Sequence, residues 1–151
     1  ADKEGRVVIQ TNAPGHRAIR LCTKHDYKTF YNLEIGDRLR TLFPPFAVFV
    51  RAQFACADEN AAADAAERFA NGVTKNILTA LKPANAENEL VFALAGAAPI
   101  RRREGLFRYA VIIKLVRTAN TAAAINAIYA FSDGCADECY RGIEVNPQDM
   151  L

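Results

Sequence analysis

From Phe46 to Cys56 the apolar residues fall on alternate positions. Phe46, Val48, Val50, Ala52, Phe54 and Cys56 take one face, while Arg51 and Gln53 point the other way. A period of two marks a half-buried strand. At Asp58 the period changes: Asp58 reads as an N-cap, and Ala62, Ala66, Phe69, Val73, Ile77 and Leu81 form the apolar stripe of a long helix. After a turn-rich gap at Asn85–Asn88, Leu90–Ala95 reads as a second strand. Gly96 to Gly105 reads as a loop carrying Arg101, Arg102 and Arg103, and Leu106–Arg117 as a long strand rich in β-branched residues. Asn120 is expected to cap a shorter helix with Ala124, Ile128 and Phe131 inward, ended by Gly134. Tyr140–Val145 is the last strand before Asn146-Pro147.

The order strand, helix, strand, strand, helix, strand leaves few folds open. Two such β-α-β units form a four-stranded antiparallel sheet with both helices on one face, so the expected class is a ferredoxin-like βαββαβ α+β sandwich. The other face of that sheet stays bare unless something covers it, and there or at its edge loops a binding surface is expected.

The double proline Pro44–Pro45 sets off an earlier part, because the residue before a proline is pushed out of helical geometry. In residues 1–44 the run Arg6–Thr11 reads as a short strand, followed by a turn at Asn12-Ala13-Pro14-Gly15 and a short helix through Leu21. Asp26 then reads as the N-cap of a helix on which Tyr27, Phe30, Tyr31 and Ile35 recur near helical spacing. Glu34 and Arg38 stand four apart in the order that favours a surface pair. One strand and two helices cannot bury their own apolar faces. This part needs a sheet from elsewhere or must pack on residues 45–151, the second domain. A chain that lacks an initiating Met and opens directly into a strand is expected to be a piece of a longer one.

The chain has 151 residues, of which 51% are hydrophobic, enough for a core. A net charge of +2 says little about partners. Its distribution says more. Arg101 to Lys114 holds five basic residues against Glu104, whereas from Asp133 onward five acids face Arg141. No apolar run approaches the ~20 residues of a membrane span, and no charged-then-apolar leader is present, so no membrane partner is expected. Cys22, Cys56, Cys135 and Cys139 form no Cys-x-x-Cys pair. Cys135 and Cys139 would share a face if helical, short of a closed zinc site. Free thiols in a reducing, cytoplasmic compartment are the expectation.

Motifs of chemistry are missing from the chain. There is neither a phosphate-cradling Gly-rich loop nor Gly-x-Ser-x-Gly nor His-Glu-x-x-His, and the only serine is Ser132. His16 and His25 fall in turns, as capping or solvated residues. With no nucleophile beside a base, no catalytic residue and no metal or cofactor site are assigned. What remains is the basic strand. Parity puts Arg108 and Lys114 on the bare face, joined by Arg51 from the first strand, and Phe107, Tyr109, Val111, Ile113 and Leu115 toward the helices. Arg101–Arg103 sit at its mouth. Arginine's planar fork suits phosphate; a solvated loop with Arg and Lys stems lying over apolar surface reads equally well.

Several segments together resemble the end of the PriA family, the primosomal replication-restart helicases. They are Gly5–Thr11 with Pro14-Gly15-His16; Asp26-Tyr27, Phe30, Glu34, Arg38 and Pro44-Pro45-Phe46; Ala98-Pro99-Ile100 with Gly105, Arg108-Tyr109 and Ile112-Ile113-Lys114; and Val145-Asn146-Pro147 with Met150-Leu151. The resemblance departs from the family pattern at Leu94-Ala95, Phe107 and Asn146. It implies that residues 1–44 are the tail of a second helicase lobe plus a connector helix. It also implies that residues 45–151 are a C-terminal DNA-binding domain similar to a small-subunit ribosomal protein. The implied parent is an ATP-dependent 3′-5′ DNA helicase with magnesium and a zinc module outside this chain. Its implied partners are forked and single-stranded DNA, primosome proteins and single-strand-binding protein. Under this reading Arg101, Arg102, Arg103, Arg108 and Lys114 contact phosphates, with Tyr109 or Phe107 as a stacking surface although parity turns both inward. The alternative is a docking or scaffold domain whose open face meets the parent's own lobes or a primosome partner.

Overall fold

A computed structural model describes residues 5–81 and 89–148. The expected turn at Asn85–Asn88 and the Met150-Leu151 segment lie outside the described residues. The chain divides into two compact units, Ala1–Thr41 and Leu42–Leu151, each described by itself.

In the first unit, helix α1 (Arg17–Cys22) starts at His16, whose Nδ1 accepts the Ala18 N–H at 3.3 Å. Helix α2 (Tyr27–Thr41) starts at Asp26, whose carboxylate accepts the Thr29 N–H at 3.1 Å, as the sequence predicts. The expected Glu34–Arg38 pair forms at 2.9 Å. The strand expected over Arg6–Thr11 is not formed. Val7 and Val8 are about nine-tenths exposed, and among the described residues no strand pairs with this run. An extended segment whose backbone groups meet only water has no ladder to hold it.

The second unit is the predicted ferredoxin-like α+β fold. Strands β1 (Ala47–Cys56), β2 (Leu90–Arg103), β3 (Leu106–Val116) and β4 (Tyr140–Val145) form one antiparallel sheet in the order β2-β3-β1-β4. Helices α3 (Glu59–Ala80) and α4 (Thr121–Asp133) pack on one of its faces. The expected stripe on α3 is buried throughout, from Ala62 to Leu81, and meets Val48, Val50, Ala52 and Phe54 of β1 and Val111, Ile113 and Leu115 of β3. Asp58 caps α3, accepting the Ala61 N–H at 2.7 Å. The two helices approach closely at Gly72, where a Cβ would stand 2.3 Å from Cζ of Phe131; only the absence of a side chain lets that ring sit there. At the far end of the sheet Gly142, at φ +128°, takes up the register shift between Gln53 and Phe54.

Two local expectations are corrected. Asn120 precedes α4 but makes no side-chain cap; its amide donates instead to the buried Glu89 carboxylate at 2.8 Å, which also accepts from Thr118 Oγ1 at 2.7 Å. The buried Glu89 side chain would otherwise lack these donors, and a buried acceptor left unmet costs more than an uncapped helix end that water can reach. Cys135 to Cys139 is turn rather than helix, so the shared helical face expected for those thiols does not exist. Among the described residues no helix is long and apolar enough to cross a membrane.

Candidate nucleic-acid interface

The arginine run belongs to a strand and not to a loop. β2 continues through Arg103, and the chain reverses at Glu104 and Gly105, both at positive φ (55° and 82°). That is the two-residue turn whose twist suits a hairpin. Arg103 thereby pairs with Leu106 and Arg102 with Phe107. Sequence reading missed this because Pro99 and the glycines at 96 and 105 look like loop punctuation. The signal that was present is a turn-competent Glu-Gly flanked by residues able to pair. Between Ala97 and Arg102 the ladder is interrupted, so Ala98, Pro99, Ile100 and Arg101 stand opposite Arg108 alone. Proline has no N–H to give a ladder and is tolerated on the edge strand that β2 forms.

On the sheet face away from the helices, register places residues in rows. Phe92, Lys114 and Phe49 make one row, followed by Leu94, Ile112, Arg51 and Glu144, then Gly96, Ala110, Gln53 and Gly142; Arg108 and Ala55 form the last. The face is therefore aromatic at one end and cationic at the other.

Lys114 lies on this face as parity predicts, but it does not project into solvent. It is only 8% exposed, with Nζ 5.0 Å from the ring centre of Phe43, 5.4 Å from Phe49 and 5.8 Å from Phe92. Phe43, just before the double proline, folds back against Phe49 with ring centres 5.5 Å apart and roofs the ammonium. Three aromatic faces offset some of the lost hydration through cation–π attraction.

The remaining candidates differ in how committed they already are. Arg101 meets Glu59, the first residue of α3, with both Nε and Nη2 2.5 Å from Oε1, and Tyr109 Oη lies 3.3 Å from the same oxygen. The hydrogen bond to Glu59 holds the Arg101 guanidinium above its ordinary value. Tyr109 thus faces the helices and packs on the core, as parity predicts. Arg102 lies over the Phe107 ring, 5.0 Å from its centre. Arg103 reaches Glu104 at 3.3 Å, with both side chains well exposed. Arg108 is half-buried, and among the described residues its side chain makes no hydrogen bond or ion pair. The structure therefore gathers Arg101, Arg102 and Arg103 at the hairpin tip, sets Arg108 apart on the open face and encloses Lys114.

Arg51 joins Arg108 on the open face as expected; its guanidinium pairs with Glu144 at 2.8 Å and is largely covered. Arg141 was not anticipated. It lies at the start of β4 and donates to the carbonyls of Glu138, Tyr140 and Ala55 at 2.6, 3.0 and 2.7 Å. Its place beside Arg108 arises from β4 pairing with β1, a contact between distant segments that local spacing does not reveal. The cysteines stay free thiols. Burial, with the Cys56 thiol beside it, pushes Cys139 up to about 12, which leaves it neutral and unreactive at ordinary pH.

No family model matches the chain. Over 127 residues, 84% of its length, the chain is 29% identical to the replication restart protein PriA of Bacillus subtilis (strain 168). Over 63 residues, 41% of its length, it is 40% identical to the replication restart protein PriA of Treponema pallidum (strain Nichols). The matched stretches make up 15% and 9% of those proteins, so the chain spans a small part of the curated relatives it matches. The resemblance read from its motifs is thus met by measured similarity across most of the chain: its curated homologues are replication restart proteins, named PriA in both cases.

Proposed function

We propose that this chain is the C-terminal part of a replication-restart DNA helicase and that its second unit grips forked or single-stranded DNA for a motor carried elsewhere in the longer protein. The observation that carries this reading is the similarity to the PriA protein of Bacillus subtilis over 84% of the chain, a span long enough to include the basic strand. Phosphate contacts would come from Arg102 and Arg103 at the hairpin tip and from Arg108 on the open face. Arg101 is held by Glu59, and Lys114 is enclosed. On this reading residues 1–44 close a helicase lobe and lead to the DNA-binding domain of residues 45–151. ATP, magnesium and a zinc module belong to the parent, which works in the cytoplasm with primosome proteins and single-strand-binding protein. Fluorescence anisotropy with labelled fork and single-stranded DNA at several salt concentrations tests the grip. Binding is expected to fall steeply with salt and to vary little with base sequence, as backbone contacts dictate. No binding at low salt would sink it.

A second reading, docking on the parent's own lobes or on a primosome partner, is favoured by the first unit. α1 and α2 bury no residue, Tyr27, Tyr31 and Leu39 are at least half exposed, and a cavity of about 500 Å³ opens among Ile19, Leu21, Cys22, Tyr27 and Phe30. Such surface outside an interface is costly. A pull-down of the parent's helicase lobes without DNA that survives high salt would support docking, because apolar contacts are not screened.

A further inference from the structure

The interruption in β2 has made room beside Arg108. A cleft of about 40 Å³ opens there on the bare face of the sheet, lined by Arg51, Gln53, Ala98, Pro99, Arg108 and Arg141. Its walls come from all four strands, or from the residues where they begin, so it is a feature of the sheet and not of one loop. Three guanidiniums line it, and the carboxylate of Glu144 answers Arg51. The Gln53 amide, with its oxygen turned to Arg51, accepts from that guanidinium at 3.2 and 3.3 Å, so Arg51 is fixed from two sides. Arg141 is fixed too, but by three backbone carbonyls, which orient it without cancelling its charge. Arg108 brings a third cation whose donors are uncommitted among the described residues. The cleft is thus net cationic, with two of its guanidiniums held in place before any ligand arrives.

We propose that this cleft is a seat for one phosphate group of the DNA backbone, with Arg108 as its principal donor and Arg141 and Arg51 as oriented charges beside it. The inference rests on the DNA-binding reading above and moves its anchor from the hairpin tip to the open face. Size suits a phosphate: a water needs about 10–15 Å³ of such space, so the cleft has room for roughly three oxygen-sized atoms, enough for the two unesterified oxygens of a backbone phosphate. Charge argues the same way, since a guanidinium fork donates paired hydrogen bonds to a tetrahedral oxyanion. The break in β2 is the kind of local irregularity that re-aims side chains beside functional sites. Arg101 and Arg103 at the tip already face carboxylates. A phosphate there must compete with Glu59 or Glu104, whereas among the described residues no carboxylate pairs with Arg108.

The test compares the whole chain with its Arg108→Gln, Arg108→Lys and Lys75→Gln variants, using labelled oligothymidylate at several salt concentrations. Lys75 is an exposed residue of α3, on the helix layer, so its variant reports the effect of losing one charge remote from the cleft. Arg108→Gln is expected to weaken binding several-fold and to lower the salt slope by about 0.7, one single-strand phosphate contact. Arg108→Lys is expected to keep the slope and lose part of the affinity, as a point charge replaces a fork. Lys75→Gln is expected to leave both close to the unaltered chain. Inorganic phosphate, added at constant ionic strength, is expected to compete with the oligonucleotide on the unaltered chain and not on Arg108→Gln. If the unaltered chain binds DNA and both Arg108 variants match it in affinity and slope, the cleft assignment is overturned and the DNA reading stands. If the unaltered chain does not bind DNA at low salt, both fall together.

Discussion

Lys114 shows what a cation on a sheet face becomes when aromatic residues gather over it. Its ammonium lies 5.0, 5.4 and 5.8 Å from the ring centres of Phe43, Phe49 and Phe92, and the residue is buried, so it acts through packing as much as through charge. We expect Lys114→Ala to destabilise the second unit by about 2 kcal/mol, the order of a desolvated cation–π contact together with the lost stem. A shift in the urea midpoint at unchanged slope would measure it. DNA affinity and its salt slope are expected to stay as they were, and a slope lowered by a full contact would show that the ammonium reaches phosphate after all.

The loop between α4 and β4 illustrates the same economy at the level of an element. Asp137 accepts from Arg68 of α3 at 2.7 Å and from the Cys139 N–H at 2.9 Å. The Arg68 hydrogen bond, reinforced by that N–H, holds its carboxyl below the ordinary carboxylate range. A depressed carboxyl stabilises the fold above the unfolded value, about 3.9, and that contribution is lost as pH falls through the lower folded value. Asp137→Asn should therefore lose stability near neutrality and show a shallower decline below about pH 4, read from urea midpoints across the acid range. Parallel acid limbs would count against the pair. Elements of this kind were legible wherever period and cap agreed: Asp58 with the α3 stripe, Asp26 with α2, and Tyr140–Val145. They were not legible where a distant partner decided. Arg6–Thr11 has strand chemistry, yet among the described residues no strand pairs with it. Asn120 has a capping side chain that Glu89 draws away. Pro99 looks like the end of a strand, yet β2 passes through it along a sheet edge. Of the candidate site, the parity of Arg108, Lys114 and Tyr109 could be read from one strand; the roof over Lys114 and the arrival of Arg141 required the tertiary fold.

For the molecule as a whole, the buried core lies between Val48 and Cys139, wholly inside the second unit. Residues 42–151 made alone are therefore expected to fold, with dispersed amide resonances and one cooperative unfolding transition. A molten product would mean that the first unit supplies something the core lacks. The sheet is open, with β2 and β4 at its edges, and unpaired edges invite a neighbour's strand. The interruption described between Ala97 and Arg102 answers that hazard along β2. A second copy sliding alongside would meet a proline without an N–H, a ladder out of step, and then three consecutive arginines facing three of its own. The irregularity that leaves space beside Arg108 also keeps this edge from seeding a continuous intermolecular sheet, so a smoother, uncharged β2 would be a more aggregation-prone one.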